Sequence, residues 1–410
     1  MKVSLKWLRE RVEWVGSVEE LCEVLTMAGV EVEGIERTGA DIPQVVVAQI
    51  VASEQHPNAD RLSVCKVDDG SGTLRQIVCG AKNFVVGDRV PLALPGAVLP
   101  GDFRIKSGKL RGVESDGMMC SPEELGLPHK VDGLLILGGE HAPGTALSEV
   151  FPSDTVLELE ITPNRPDLLS YEGIAREVGA LTGRPVRGSD VAGGVREAVS
   201  TVDGCPLYLL TLLEGVGVSE SPAWLREKLE AAGLRSIHAA VDVTNWVNLD
   251  LGQPMHVFDA DLVRGDLCVR YAVDGEVIRA LDDKEYVLVA GDLVIADDSG
   301  PVAIAGVMGG ISTGVTGATR RILLETAVFD PARVRRTSRR LGLMSDSSYR
   351  FERGVDPGRL ARSAAMAAAK LVELCGGSVA GVRVGGNASA SDRDIWLAGR
   401  GRELEVPLRM

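Results

Sequence analysis

The sequence has no apolar run of membrane-spanning length, and its opening Met1-Lys-Val-Ser-Leu-Lys lacks the apolar core of a secretory signal. Both absences point to a cytoplasmic protein. Its seven cysteines (Cys22, Cys65, Cys79, Cys120, Cys205, Cys268, Cys375) are scattered with no C-x-x-C pair. That argues against a zinc site or a disulfide framework and for reduced thiols, so no metal site is expected. A net charge of −14 rules out a surface that is basic all over, and any RNA contact must come from local patches. What is present is a chain of 410 residues, 45% hydrophobic and 25% charged, long enough for about three globular domains.

Ser17-Val-Glu-Glu20 has the capping-box pattern of a helix start, with Val18, Leu21, Leu25 and Ala28 as the apolar face and Gly29 as the stop. Alternation over Val30 to Ile35 predicts a strand. The same alternation returns at Val156 to Ile161, before a predicted helix from Leu168 to Thr182 that Gly183 stops. Neither half can bury a core alone. The expectation is therefore one α/β domain, residues 1–39 plus 151–190, interrupted by an insertion. The inserted residues 40–150 carry many short apolar runs split by Gly, Pro, Asn and Asp, the pattern of a small β-barrel. Arg104, Lys106, Lys109 and Arg111 cluster there, with Asn58 and Asn83 in neighbouring loops. Such a cluster could follow a phosphate backbone or be only the solvated face of a barrel; Phe84 and Phe103 alone offer stacking surfaces.

In the third region, residues 200–386, the run from Arg235 to Leu262 reads RSIHAAVDVTNWVNLDLGQPMHVFDADL. A helix is predicted before it, with Ser221 as cap, Pro222 as first residue and Gly233 as terminator. Ala239 to Asn245 is expected to form a short buried strand, with Asp242 and Thr244 on one face and Val241 and Val243 on the other. An apolar strand ending in Thr, Asn, Gln and His suits the floor and rim of a small-molecule pocket, or simply a core strand with a capped turn. Strands are expected through Leu267 to Val273, Tyr286 to Val289 and Leu293 to Ala296. The glycine-rich run Gly300 to Gly310 allows close approach to a ligand or tight packing. Glu325 then falls inside the apolar run Leu323 to Asp330, where a lone carboxylate is costly unless paired or used to bind something.

Asp330 is expected to cap a helix from Pro331 to Gly342 that carries Arg333, Arg335, Arg336, Arg339 and Arg340. Helical spacing spreads these over more than one face, so at least two should pair with acids of the domain and the others remain for phosphates. A long Ala-rich helix closes at Gly376-Gly377, and residues 387–410 have the composition of a linker and the opening of a further domain. Gly310-Ile-Ser312-Thr-Gly314 fits a nucleophile-elbow pattern, but no helix signal follows it, so Ser312 is set aside.

Several separate segments resemble one family. They are His56-Pro-Asn-Ala-Asp-Arg-Leu62, Ile77-Val-Cys-Gly-Ala-Lys-Asn83, Lys109 to Ser121, Ile161-Thr-Pro-Asn-Arg-Pro-Asp167 with Tyr171-Glu-Gly, the run Arg235 to Leu262, and Ser345-Asp-Ser-Ser-Tyr-Arg-Phe-Glu-Arg-Gly-Val-Asp-Pro357. Together they resemble the N-terminal half of the bacterial phenylalanine–tRNA ligase β subunit. The resemblance implies an α+β multidomain chain: the interrupted α/β domain, an inserted OB-fold β-barrel that binds tRNA, and a mixed α/β editing domain. It also implies tRNA and an α subunit as partners, in a heterotetramer of two α and two β subunits. ATP and magnesium would serve the complete ligase, with no cofactor in this half; the aminoacylation site and the rest of the β subunit would lie elsewhere.

The chemistry implied for this half is hydrolysis of tyrosine mischarged on phenylalanine tRNA. A synthetic pocket shaped for an apolar ring rejects an added hydroxyl only about a hundredfold, whereas a second pocket that hydrogen-bonds the hydroxyl discriminates by about ten-thousandfold. By resemblance, Glu325 reads that hydroxyl, His256 and Arg235 hold the ester and terminal adenosine, and Thr244 and Asn245 contact the polar end of the amino acid. Ala305, Gly306 and Gly309 shape the wall, with Ser345 and Ser347 at its edge. Candidate tRNA contacts are Asn58, Asn83, Lys106, Lys109, Arg111, Arg336 and Arg339. Two departures stand out: Lys82 replaces the family's usual proline, and Ser347 replaces an alanine that sets pocket size. The second leaves open a non-catalytic tRNA-binding or assembly module with a decayed pocket.

Overall fold

The computed structural model describes residues 1–127, 131–188, 197–198 and 201–386. They form two compact units, one of Met1–Gly34 with the described residues from Leu157 onward, the other of Ile35–Val156. The expected linker and further domain at residues 387–410 lie outside the described residues.

In the first unit the capping box closes as the sequence suggests. Glu20 N–H donates to Ser17 Oγ at 3.1 Å and Ser17 N–H to the Glu20 carboxylate at 2.8 Å, opening the helix Val18–Met27. The strand Asp154–Glu160 lies between Lys2–Ser4 and Glu31–Thr38, so the late segment fills the middle of a sheet begun early in the chain. Its core does not close on itself: Leu8, Leu159 and Tyr171 share one hydrophobic cluster with Val243, Leu324 and Leu371. Polar ties follow the same route. Arg11 pairs with Asp250, Arg362 reaches Glu172 at 3.0 Å, and the buried Arg350 guanidinium donates to the Leu169 carbonyl at 3.3 Å.

The expected strand Ala239 to Asn245 is instead the start of a helix, Ala239–Leu251. His238 caps it by accepting from Val241 N–H at 3.4 Å, and Gly252, at φ 77°, ends it in the left-handed conformation. The fully buried Asp242 accepts from Ser221 Oγ at 2.5 Å and from Ile237 N–H at 2.9 Å. Ser221 is thereby taken from the preceding helix, Ala223–Ala231, which begins after Pro222 with no side-chain cap. This later helix is buried on nearly every side, so no polar face marks a 3.6-residue period, and Val-Asp-Val-Thr imitates strand alternation.

Behind these helices runs a five-stranded sheet in the order Glu197–Ala198, Ser378–Gly386, Leu207–Glu214, Arg321–Val328, Met255–Asp259. Alternation along Arg321–Val328 sends Ile322 and Leu324 into the helix-side core with Val257. Leu323 and Ala327 face the other way with Tyr208, Leu210 and Phe258, against a four-stranded sheet of Cys268–Tyr271, Leu293–Asp297, Gly300–Ile304 and Met308–Gly309. The result is a helix layer, a sheet and a second sheet.

The second unit is built on an antiparallel sheet in the order Met118–Met119, Arg89–Ala93, Val45–Gln55, Ser63–Asp68, Leu74–Cys79. A register shift between Ile50 and Ala52 bends its central strand. Val78 N–H donates to Ser115 Oγ at 3.0 Å and Asp116 N–H to the Gln76 carbonyl at 2.9 Å, so the two edges approach each other and the sheet is nearly a barrel.

Candidate functional site

A cavity of about 50 Å³ lies between the two sheets of the first unit, lined by Met255, Gly306, Met308, Gly309, Glu325 and Ser347 together with the rings of Phe329 and Phe351. Glu325 enters it from Arg321–Val328, and the antiparallel register sets His256 directly opposite on the neighbouring strand. Both side chains therefore stand on one face of the sheet. Glu325 has no ion pair among the described residues, and burial pushes its carboxyl up to about 8. Burial also lowers the His256 imidazole to about 4, and its Nε2 is buried without a hydrogen-bond partner among the described residues. At neutral pH both groups are uncharged, Glu325 in the cavity wall and His256 buried behind Gly309 without lining the cavity itself.

The glycines are there for close packing. A Cβ on Gly309 would come within 2.4 Å of His256 Cε1, so only glycine leaves room for the ring, which stands edge-on to Phe258 with centroids 4.6 Å apart. Gly306 has φ +70°, and a Cβ there would sit 3.0 Å from Phe329 and Val334. Ser345 joins this turn to the short helix Asp346–Phe351. Its hydroxyl donates to the Val307 carbonyl at 2.6 Å while accepting from Ser348 N–H at 3.0 Å. That helix presents Ser347 and, one turn on, Phe351 to the cavity.

Other residues expected in the pocket are elsewhere. Thr244 and Asn245 ride on Ala239–Leu251, which packs into the core on the opposite side of the sheet from Glu325. The Thr244 hydroxyl donates back to Val241 O at 2.7 Å. Arg235 is exposed in the segment before that helix, and Ala305 is buried in the inter-sheet core with its N–H on Leu293 O at 3.0 Å. None of the four lines the cavity, and neither His256 nor Ser345 does. The expected two-walled pocket is corrected accordingly: a helix in place of a strand turns the Thr244 and Asn245 side chains away. Phe329 and Phe351 carry no flag in the sequence, although spacings of four from Glu325 along a strand and from Ser347 along a helix place each on the same face.

Asp330 caps the arginine helix Pro331–Leu341, accepting from Arg333 N–H at 2.8 Å. Two arginines find acids, as the spacing suggests: Arg340 pairs with Asp292, and Arg333 lies 3.8 Å from Asp203 and over the Tyr271 ring. Arg335, Arg336 and Arg339 are exposed with no acidic partner among the described residues. In the second unit Lys106, Lys109 and Arg111 are exposed, and Lys106 and Lys109 line a groove of about 770 Å³ with Phe103 and Arg104. Asn58 Nδ2 donates to the Arg111 carbonyl at 3.2 Å, which steadies the hairpin carrying the cations. The Asn83 amide is occupied at both ends by Leu134, donating at 2.9 Å and accepting at 2.8 Å, so it serves the loop and is not free for a phosphate. Ser312 lies in a turn that no helix follows. Among the described residues there is no group of three or more His, Cys, Asp or Glu that could hold a metal, and no helix long and apolar enough to cross a membrane.

Two family models match the chain, a putative tRNA binding domain over residues 45–146 and a B3/4 domain over residues 204–376. The chain is 51% identical to the phenylalanine–tRNA ligase beta subunit of Anaeromyxobacter dehalogenans, over 92% of its own length and 49% of that protein's. Identity to the same subunit of Geobacter sulfurreducens is 46%, over 93% and 49% of the two chains, and to that of Methylococcus capsulatus 47%, over 92% and 49%. The chain thus spans about half the length of these curated relatives. A solved N-terminal fragment of the phenylalanyl-tRNA synthetase beta subunit from Pyrococcus horikoshii is 15% identical, with a TM-score of 0.29, covering 56% of this chain and 63% of that one.

Proposed function

We propose, for a chain that belongs to the family of phenylalanine–tRNA ligase beta subunits, that it binds tRNA and hydrolyses tyrosine wrongly esterified to phenylalanine tRNA. The observation that carries this reading is Glu325, a carboxyl held uncharged at neutral pH among Phe329, Phe351 and Met255. A neutral carboxyl both donates and accepts, which suits a phenol. Phenylalanine in the same place would leave the group unpaired, and that penalty is the basis of strong discrimination.

His256, uncharged and opposite Glu325 on the same sheet face, would orient the ester or a water once the pocket opens to it. The substrate's own ribose hydroxyl can assist, so no covalent intermediate is required. A space of about 50 Å³ holds a few waters rather than a phenol ring. The half-buried Met255 and Met308 are the flexible lining side chains whose shift would admit the ring.

The exposed Arg336 and Arg339, and Lys106, Lys109 and Arg111 of the other unit, are the proposed phosphate contacts. An α subunit completing a heterotetramer, and a cytoplasmic location, belong to the same proposal. The complete ligase would use ATP and magnesium.

Deacylation of tyrosyl- and phenylalanyl-tRNA by the chain tests the reading. Selective release of tyrosine that falls sharply in Glu325→Ala and His256→Ala is expected. Unchanged rates in both variants would sink the assignment, and tRNA binding without hydrolysis would mark a non-catalytic module, with Ser347 in the family's alanine position as its cause.

A further inference from the structure

The runs 161–173 and 345–357 each stand out in the sequence, and the structure joins them through one buried side chain. Arg350 is buried, and its Nε and Nη2 both donate to the Leu169 carbonyl at 3.3 Å. Leu169 lies between the single 3₁₀ turn Pro166–Leu168 and the helix Tyr171–Thr182. The third Arg350 nitrogen, Nη1, donates to the Asp346 carbonyl at 3.2 Å and to its carboxylate at 3.1 Å. Glu172 ties the same two runs again, with Arg362 at 3.0 Å and Arg359 at 3.7 Å from its carboxylate.

Arg350 sits on the six-residue helix Asp346–Phe351, which brings Ser347 and Phe351 to the cavity. A helix this short cannot hold itself, so its place is set by what it is tied to. At its start Ser345 Oγ donates to the Val307 carbonyl, next to Gly306. At its end Phe351 stands edge-on to Phe329 with centroids 5.0 Å apart, and a Cβ on Gly306 would sit 3.1 Å from its ring. Both contacts are on the cavity side, and the Arg350 fork is the tie on the other. Among the described residues its only acid partner is Asp346, whose side chain is 56% exposed and offsets little of the cost of burying a guanidinium. Stability alone is therefore a poor reason for an arginine here. A fork that takes two N–H groups to one carbonyl fixes direction as well as distance.

We propose that Arg350 is a positioning residue for the pocket. By pinning the helix Asp346–Phe351 to the Leu169 carbonyl, it fixes where Ser347 and Phe351 stand and hence how a ring in the cavity is aimed at Glu325. The proposal rests on the editing reading and extends it. Glu325 is held by the register of its sheet, whereas the wall carrying Ser347 and Phe351 is held from behind by this fork. Released, the helix shifts, and the hydroxyl of a phenol no longer meets the carboxyl squarely.

The test measures deacylation of tyrosyl- and phenylalanyl-tRNA by the full chain and by its Arg350→Met, Arg350→Lys and Asp346→Asn variants, with amide hydrogen exchange over residues 346–351 in each. Methionine keeps the stem without the donors, and lysine keeps the charge without the fork. The ratio of tyrosyl to phenylalanyl rates should fall about ten- to a hundredfold in Arg350→Met and less in Arg350→Lys, through kcat with KM kept. Amides 346–351 should exchange faster in both. Asp346→Asn should keep the parent's ratio, because the bonds to Leu169 remain. Partial unfolding lowers both rates alike and leaves the ratio alone. A folded Arg350→Met or Arg350→Lys variant with the parent's ratio, or a loss shared equally by both esters, overturns the positioning role and leaves the editing reading intact. A fall in Asp346→Asn as large as in Arg350→Met does the same. A parent chain that releases both amino acids alike overturns the editing reading, and this proposal with it.

Discussion

His256 and Glu325 are direct partners across adjacent antiparallel strands, and the same burial displaces them in opposite senses, the imidazole down to about 4 and the carboxyl up to about 8. Neither owes its shift to a charged neighbour. Two groups that would attract each other if ionised are each held neutral, which is compatible with the proposed recognition of an uncharged phenol hydroxyl.

That displacement predicts a specific pH dependence of stability. Glu325 has a folded value above its unfolded one, so its contribution is fully present below about 4.5 and is lost as pH rises through about 8. His256 has a folded value below its unfolded one, so its contribution is present above about 6.5 and is lost as pH falls through about 4. The two slopes oppose each other between about 4.5 and 6.5, and only the carboxyl slope remains above that. Urea unfolding from pH 6.5 to 8 should therefore show stability falling by up to about 1.4 kcal/mol per pH unit, a fall that Glu325→Gln removes. An identical slope in the variant would show that Glu325 does not titrate in this window.

Gly309→Ala probes the pocket by sterics alone. The added methyl would meet the His256 ring at 2.4 Å, and the ring cannot retreat freely with Phe258 edge-on beside it. A loss of about 1–3 kcal/mol in unfolding free energy is expected, with tyrosyl-tRNA deacylation reduced beyond what the change in folded fraction explains. Full activity with normal stability would mean that the ring position is immaterial to the reaction.

How much of the site is legible in the sequence follows the strength of local signals. Glu325 stands out because a lone carboxyl in an apolar strand breaks a rule, and the strand Arg321–Val328 does bury it. The caps at Ser17 and Asp330 are readable because each satisfies helix N–H groups within three residues. The helix Ala239–Leu251 reads as a strand because its stabilising anchor, Asp242 with Ser221 and the Ile237 amide, joins residues from separate segments. A strand there would put Thr244 and Asn245 in the pocket, whereas the helix carries them to the other side of the sheet. The pairing of His256 with Glu325 gives no sign at all: it lies in a cross-strand register that a single sequence does not display.

The arginine helix offers a prediction that separates electrostatics from the pocket. Arg333 and Arg340 have acids beside them, whereas Arg335, Arg336 and Arg339 are exposed without one among the described residues. Val334 of the same helix packs against Gly306 and Phe329 at the cavity wall, so its outward cations lie on the element that adjoins the pocket. If these three meet phosphates, changing all three to glutamine should weaken tRNA binding about equally for different tRNA sequences. The slope of log affinity against log salt should fall by about one for each arginine–phosphate pair removed. Deacylation at saturating tRNA should be retained, because neither Glu325 nor His256 is touched. Changing Arg333 and Arg340 to glutamine should instead lower stability and leave the salt slope alone. Filter binding of the triple and the double variant across a range of salt concentrations distinguishes the outcomes, and an unaltered slope in the triple variant would remove this helix from the tRNA path.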